Sequence, residues 1–375
     1  MLIDLPNSII IALSFVIALT LSLISISPII ALARGKKLFD MPNKRGVHKD
    51  ATPTLGGIAI FAGFMFSSLV FGGIIKANSS LPIISAACLI IFLVGLKDDV
   101  FVLSPSKKLW AQIFAAFLIV LLSDIRITNL HGMFGIREIP YIVSILLSAF
   151  VIIAVTNAFN LIDGIDGLAA SMGIISSASF GIWFFLVGNM EFAILCFALS
   201  GSLLGFVHNN VTKNLEKKLF MGDTGSLLIG FVLACVAIQF NESNLLVKGD
   251  YKILSAPAVS IGLMFMPLFD TMRVFSVRLI KGKSPFRADR QHVHHLLLSL
   301  RYTHVQATAL LSAAAIGFII VSILLRDIGT LWLLLIQIAC GVLFYMIPFT
   351  LMIRRLRSNL NSKIHKSIKN PQPVN

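Results

Sequence analysis

Residues 81–99 read Leu81-Pro-Ile-Ile-Ser-Ala-Ala-Cys-Leu-Ile-Ile-Phe-Leu-Val-Gly-Leu-Lys97-Asp98-Asp99: sixteen uncharged residues that end abruptly on one cation and two acids. A helix needs about 20 residues to cross the hydrocarbon core of a bilayer, and charged side chains are costly within it. The segment therefore reads as a membrane span whose charged end lies at the boundary. Comparable runs recur along the chain at 8–32, 54–75, 81–97, 109–125, 140–157, 167–188, 191–208, 222–240, 253–274, 306–326 and 329–353. Across all 375 residues 57% are hydrophobic and only 13% charged, where an ordinary soluble protein has about a quarter charged. These features exclude a water-soluble fold and predict an all-α polytopic membrane protein of about eleven transmembrane helices. Residues 1–353 are expected to form one transmembrane domain, and 354–375 a basic cytoplasmic tail, disordered or on the membrane surface.

The net charge is +14, which in a soluble chain would suggest nucleic acid. Here membrane topology accounts for it. Of the 31 Lys and Arg, 25 fall in 33–53, 97–108, 209–221, 273–305 and the tail after 353, all on one side if the spans alternate. The positive-inside rule places that side in the cytoplasm, the N-terminus outside and the C-terminus inside. The first span has no basic leader and is followed by Arg34, Lys36 and Lys37 rather than a cleavage site, so it is expected to remain as a helix. Cys88, Cys196, Cys235 and Cys340 lie in apolar runs without ligand spacing and read as small core residues.

Five polar constellations interrupt this pattern on the basic side. Asp98 and Asp99 are adjacent acids at a span end, where repulsion raises at least one pKa unless a cation is near. Asn157-Ala-Phe-Asn160-Leu-Ile-Asp163-Gly-Ile-Asp166-Gly167 places four oxygen-bearing side chains within ten residues, with glycines for a tight turn. Such oxygens suit a hard cation such as Mg²⁺. Met221-Gly-Asp223-Thr-Gly-Ser226 offers N–H groups to a phosphate and a carboxylate to a metal, or simply a helix cap. Ser284-Pro-Phe-Arg287-Ala-Asp289-Arg290-Gln-His292-Val-His294-His295 suits an anionic, hydroxyl-rich ligand better than zinc, which lacks partner ligands at the usual spacing. Asp40-Met-Pro-Asn43-Lys44-Arg45-Gly-Val-His48 is a basic juxtamembrane loop able to face lipid phosphate. Together they suit phosphoryl chemistry with Mg²⁺.

In this order the five motifs resemble the polyprenyl-phosphate N-acetylhexosamine-1-phosphate transferases over nearly the whole chain. The His292-Val-His294-His295 arrangement is similar to the branch that uses UDP-GlcNAc, including the enzymes that start enterobacterial common antigen, O-antigen lipopolysaccharide and wall teichoic acid. The phospho-MurNAc-pentapeptide translocases carry consecutive histidines there, and Val293 departs from that run. The resemblance implies transfer of GlcNAc-1-phosphate from UDP-GlcNAc to undecaprenyl phosphate, releasing UMP, at the cytoplasmic face of a bacterial inner membrane. It implies that Asp98 deprotonates or orients the lipid phosphate, with Asp99 in support. Asp223 and Asn160 would hold Mg²⁺, for which Mn²⁺ could substitute. Asn157, Asp163 and Asp166 would hold the uridine side and Lys108 a phosphate. Arg290, His292, His294 and His295 would read the sugar and diphosphate, and Arg45 and His48 the lipid phosphate. Membrane lipid is an expected partner, nucleic acid is not, and a homodimer is among the expected assemblies. Direct attack is preferred to a two-step route through an aspartyl-phosphate. The translocase is the alternative within the family; a secondary transporter of an anionic metabolite is the alternative outside it, disfavoured because its charges would lie near the bilayer midplane.

Overall fold

The computed structural model describes residues 5–36, 38, 52–75, 80–283 and 292–369. The described residues are almost wholly helical and contain no strand: α1 Asn7–Gly35, α2 Gly56–Ile74, α3 Ser80–Phe101, α4 Pro105–Leu122, α5 Tyr141–Ile162, α6 Leu168–Leu186, α7 Met190–Asn210, α8 Gly222–Leu246, α9 Ala256–Leu263, α10 Phe265–Ile280, α11 Val293–Ser299, α12 His304–Leu324 and α13 Thr330–Lys369. Among them, ten helices are long and apolar enough to cross a membrane, and α9 with α10 makes an eleventh if that bent pair is one span. Backbone polarity forces this outcome. In lipid every N–H and C=O must be paired within the segment, and a helix does that alone.

The span expected at 253–274 is not one straight helix. It bends by 88° between α9 and α10. Pro267 supplies the cause, because it has no N–H to give to the Leu263 carbonyl four residues earlier and its ring crowds that carbonyl. Ser176 of α6 takes up the released acceptor, its hydroxyl donating to Leu263 O at 2.7 Å. At the other end of the chain, α13 continues through the expected 353/354 boundary to Lys369. The cysteine reading also needs one correction. Cys88, Cys196 and Cys235 are buried, but Cys340 is exposed on a helix whose outer face carries Trp332, Leu335 and Leu343.

The most enclosed span is α8, with α2, α3, α5 and α6 packed around it. Small residues let backbones meet where no hydrophobic drive between helices exists. A side chain at Gly201 or Gly205 of α7 would overlap the α1 carbonyls of Phe15 and Leu19, and one at Gly95 of α3 would overlap the Thr224 backbone of α8. The charged and amide motifs gather at one end of this bundle, where α3, α5 and α7 finish and α2, α4, α6, α8 and α12 begin.

Candidate active site

Adjacent residues on a helix point about 100° apart, and Asp98 and Asp99 use that divergence to avoid one another. Asp98 turns toward α4. Its Oδ2 lies 2.9 Å from the Lys108 ammonium, and its Oδ1 accepts the Leu103 N–H at 2.5 Å. Lys108 continues to Asp223, 2.6 Å away, so one ammonium joins the end of α3 to the start of α8. Asp99 turns toward α8 instead. Its Oδ1 accepts the Asp223 N–H at 2.7 Å, and its Oδ2 accepts the Thr224 N–H at 3.1 Å and the Thr224 hydroxyl at 2.5 Å.

This changes the reading of the Met221–Ser226 motif. The first N–H groups of α8, expected to be available to a phosphate, are occupied by a carboxylate of the chain itself. A helix N-terminus attracts any anion, and Asp99 is the anion that reaches it. Gly222 makes the approach feasible, having φ +72° and no Cβ to overlap Asp99 and the Thr54 carbonyl. The start of α2 closes the same floor, with Gly56 and Gly57 donating to Phe220 O and Met221 O, both at 2.9 Å.

The Asn157–Gly167 motif divides into two parts. α5 runs to Ile162, further than the span expected from sequence, so Asn157 and Asn160 are helical while Asp163 and Asp166 stand in the turn before α6. Asn160 donates to Ser226 Oγ at 2.9 Å, which ties the end of α5 to the start of α8. Asn157 lies deeper, exchanging hydrogen bonds with Gln112 of α4 at 2.7 and 3.4 Å. Gln112 is one turn beyond Lys108, so this amide pair fixes α4 against α5 directly beneath the acids. Replacing Gln112 or Asn157 singly by Leu strands a half-buried or a buried amide and is expected to cost about 1–3 kcal/mol. The double variant is expected to cost less than the two singles summed, as thermal unfolding of the four proteins in detergent will show.

Asp163 stands among like charges. Burial, together with the carboxylates of Asp223, Asp99 and Asp166, pushes its carboxyl up to about 8. Asp166 differs. Burial opposes its ionisation, but hydrogen bonds from His304 and Lys218 outweigh that and hold its carboxyl below the usual range. Lys218 Nζ is 2.6 Å and His304 Nδ1 3.3 Å from Asp166 Oδ2, while the Thr308 hydroxyl donates to Asp166 O at 2.8 Å. Sequence alone pairs neither Lys218 nor His304 with Asp166, since each is distant from it in the chain and carries no motif.

His294 and His295 lie on α11 rather than in a loop, and His292 is its N-cap. The His294 ring is buried against Gly164, where any side chain would overlap it. The fourth motif is thereby seated on the second. Burial, with His295 beside it, pushes the His294 imidazole down to about 3, so the ring is neutral. Arg45, His48 and Arg290 lie outside the described residues.

Asp98, Asp99, Lys108, Asn160, Asp163, Asp166, Asp223 and His294 are therefore brought together at one end of the bundle. Among the described residues, no three His, Cys, Asp or Glu side chains converge as a ready metal cage. Mg²⁺ does not need one, because it typically takes one or two carboxylates and completes its shell with water and substrate phosphates. Asp163, facing three carboxylates with no hydrogen-bond donor to it among the described residues, marks a region short of positive charge. The donor set fits such an ion.

A helical membrane bundle with an acid- and amide-lined floor at one end defines a class of membrane-embedded enzyme. The sequence model of Glycosyl transferase family 4 matches residues 81–241, and the chain belongs to that family. It is similar to the undecaprenyl-phosphate alpha-N-acetylglucosaminyl 1-phosphate transferase of Yersinia pestis, 32% identical over 74% of each chain. The protein of the same name from Escherichia coli O157:H7 is 31% identical over 84% of each. A probable undecaprenyl-phosphate N-acetylglucosaminyl 1-phosphate transferase of Bacillus subtilis is 29% identical over 94% of each.

Proposed function

We propose that the protein transfers GlcNAc-1-phosphate from UDP-GlcNAc to undecaprenyl phosphate, giving undecaprenyl-diphosphate-GlcNAc and UMP, as the first step of a cell-envelope polysaccharide. The observation that carries this reading is the cluster of Asp98, Asp99, Asp163, Asp166 and Asp223, held by Lys108 and Lys218 at one end of the bundle. The relatives' names support the reaction and the lipid acceptor. Twenty-five of 31 basic residues fall in the sequence segments 33–53, 97–108, 209–221, 273–305 and after 353, which supports a cytoplasmic site, an outside N-terminus and an inside C-terminus.

In the proposed reaction an oxygen of the lipid phosphate attacks the sugar-bearing phosphorus of UDP-GlcNAc. The bond from that phosphorus to the bridging oxygen breaks, and UMP leaves with the oxygen. Asp98, positioned by Leu103 N–H and Lys108, aligns the attacking phosphate and takes its residual proton. Lys108 stands where it can meet phosphate oxygens while its ammonium holds Asp98 and Asp223 together. Asp99 acts through α8, fixing the direction of Asp223. Mg²⁺, or Mn²⁺, would be held by Asp223 with the Asn160 carbonyl and would neutralise phosphate charge when bound. Attack by an aligned phosphate needs placement more than activation, so the direct route is preferred to an aspartyl-phosphate.

Purified protein in detergent, given UDP-GlcNAc, undecaprenyl phosphate and Mg²⁺, is expected to release UMP. Release is expected to fall to background without the lipid or with a chelator, and to return with Mn²⁺. A UDP-MurNAc-pentapeptide reaction without a UDP-GlcNAc reaction would move the protein to the translocase branch, and no UMP from any UDP-sugar would end the proposal.

A further inference from the structure

Asp270, on α10, carries no sequence motif, yet it is the junction of three elements. Its Oδ1 accepts from Arg273 Nη2 at 2.8 Å and from the Val293 backbone N–H at 3.1 Å. Its Oδ2 lies 2.8 Å from His292 Nδ1. The Arg273 guanidinium also covers the Tyr345 ring of α13, 3.9 Å from its centroid. The carboxylate is almost fully buried, with 4% of the residue exposed, and a buried carboxylate persists only when its oxygens are paired in this way.

Two consequences follow for the histidine motif. The Val293 bond ties the first residue of α11 to α10, fixing where the short helix starts. An ionised carboxylate only accepts hydrogen bonds, so the Nδ1 that faces it carries a proton, and in the neutral ring Nε2 is then the acceptor. The His292 plane lies nearly parallel to His294, at 8° with centroids 5.7 Å apart, and His294 in turn rests on Gly164 beside Asp163. A carboxylate outside the acid cluster thus sets both the place and the tautomer of a ring in register with it.

We infer that Asp270 is a positioning residue of the site: it holds His292 as the Nδ1–H tautomer and anchors α11, presenting Nε2 as an acceptor for a ligand hydroxyl or phosphate-bound proton. The ligand side of this inference rests on the proposed UDP-sugar reaction, but the tautomer does not. Asp270→Asn tests it well, because Asn keeps the shape and an acceptor for Val293 N–H and Arg273 while turning an amide N–H toward Nδ1. The ring must then carry its proton on Nε2 instead.

Nitrogen-15 spectra of histidine-labelled protein, with His292 assigned through His292→Gln, are expected to show a protonated Nδ1 in the unsubstituted chain and a protonated Nε2 in Asp270→Asn. Steady-state UMP release is expected to fall by about 10–100-fold, the range for partners that orient a metal-bound histidine, with the protein lowered in unfolding temperature by the loss of the buried charge pair but fully folded at the assay temperature. A protonated Nε2 in the unsubstituted chain overturns the inference with no substrate present, independently of the reaction. An exchange of tautomers that leaves kcat and KM unaltered overturns the link from Asp270 to ligand.

Discussion

Asp98→Asn is expected to lower kcat for UMP release by about 10²–10⁴-fold, the span over which a positioned acid–base group contributes, while UDP-GlcNAc still binds. The structure explains why the two effects separate. The substituted amide keeps a carbonyl oxygen that can accept from Leu103 N–H or Lys108, so the end of α3 and the α3–α4 connection stay in place. What is lost is the negative charge and the ability to take a proton. Calorimetric titration with UDP-GlcNAc beside turnover assays decides the matter. A loss of less than about tenfold in kcat, short of what a positioned acid–base group supplies, would remove Asp98 from the chemistry. A lost binding isotherm with turnover falling in step would make it a binding residue. Trapping a phosphorylated Asp98, Asp99, Asp163 or Asp166 during turnover would replace direct attack by the two-step route.

Gly222→Ala is expected to be nearly as severe for a different reason. The residue has φ +72°, a left-handed conformation that costs a residue with Cβ roughly 1–2 kcal/mol. The added methyl would also overlap the Thr54 carbonyl and the Asp99 carboxylate. Asp99 must then withdraw from the first N–H groups of α8, and Asp223 and Lys108 shift with it. Misplacement by about 1 Å can cost on the order of 10²-fold in rate. A lowered unfolding temperature together with UMP release below about 1% of the unsubstituted rate is the expected pair of results, on that basis. Retained activity would mean that the contact of Asp99 with α8 is dispensable.

The parts of this molecule that were legible from sequence are those with local causes. Span positions follow from runs of apolar residues, and acids at their ends stand out because charge within a bilayer is costly. Asp98, Asp163 and Asp223 were visible in this way, and so was their placement on one side. Features set by a partner far along the chain were not. The α9–α10 bend depends on Pro267 in a sequence that otherwise reads as one apolar span. Its stabilising partner, Ser176, is on another helix. The α8 N-terminus reads as an open anion site until Asp99 arrives from 124 positions away. Asp270 lies inside the run read as the span 253–274, where the cost of a buried acid marks it too, but only the fold brings His292 to it. Gln112, Lys218 and His304 are likewise ordinary in sequence until their partners are known.

The way α11 meets the rest of the molecule sets how much change each part can absorb. The acid floor is built from backbones in van der Waals contact at Gly57, Gly95 and Gly225, where even a methyl group collides, so mutation there is punished by geometry alone. α11 is seven residues long and leans on that floor through an imidazole rather than a main chain. If the proposed reaction holds, substitutions in α11 are therefore expected to disturb the acid floor less than a methyl group at Gly57, Gly95 or Gly225 does. The tolerance of each part to change is written into which contacts are backbone and which are side chain.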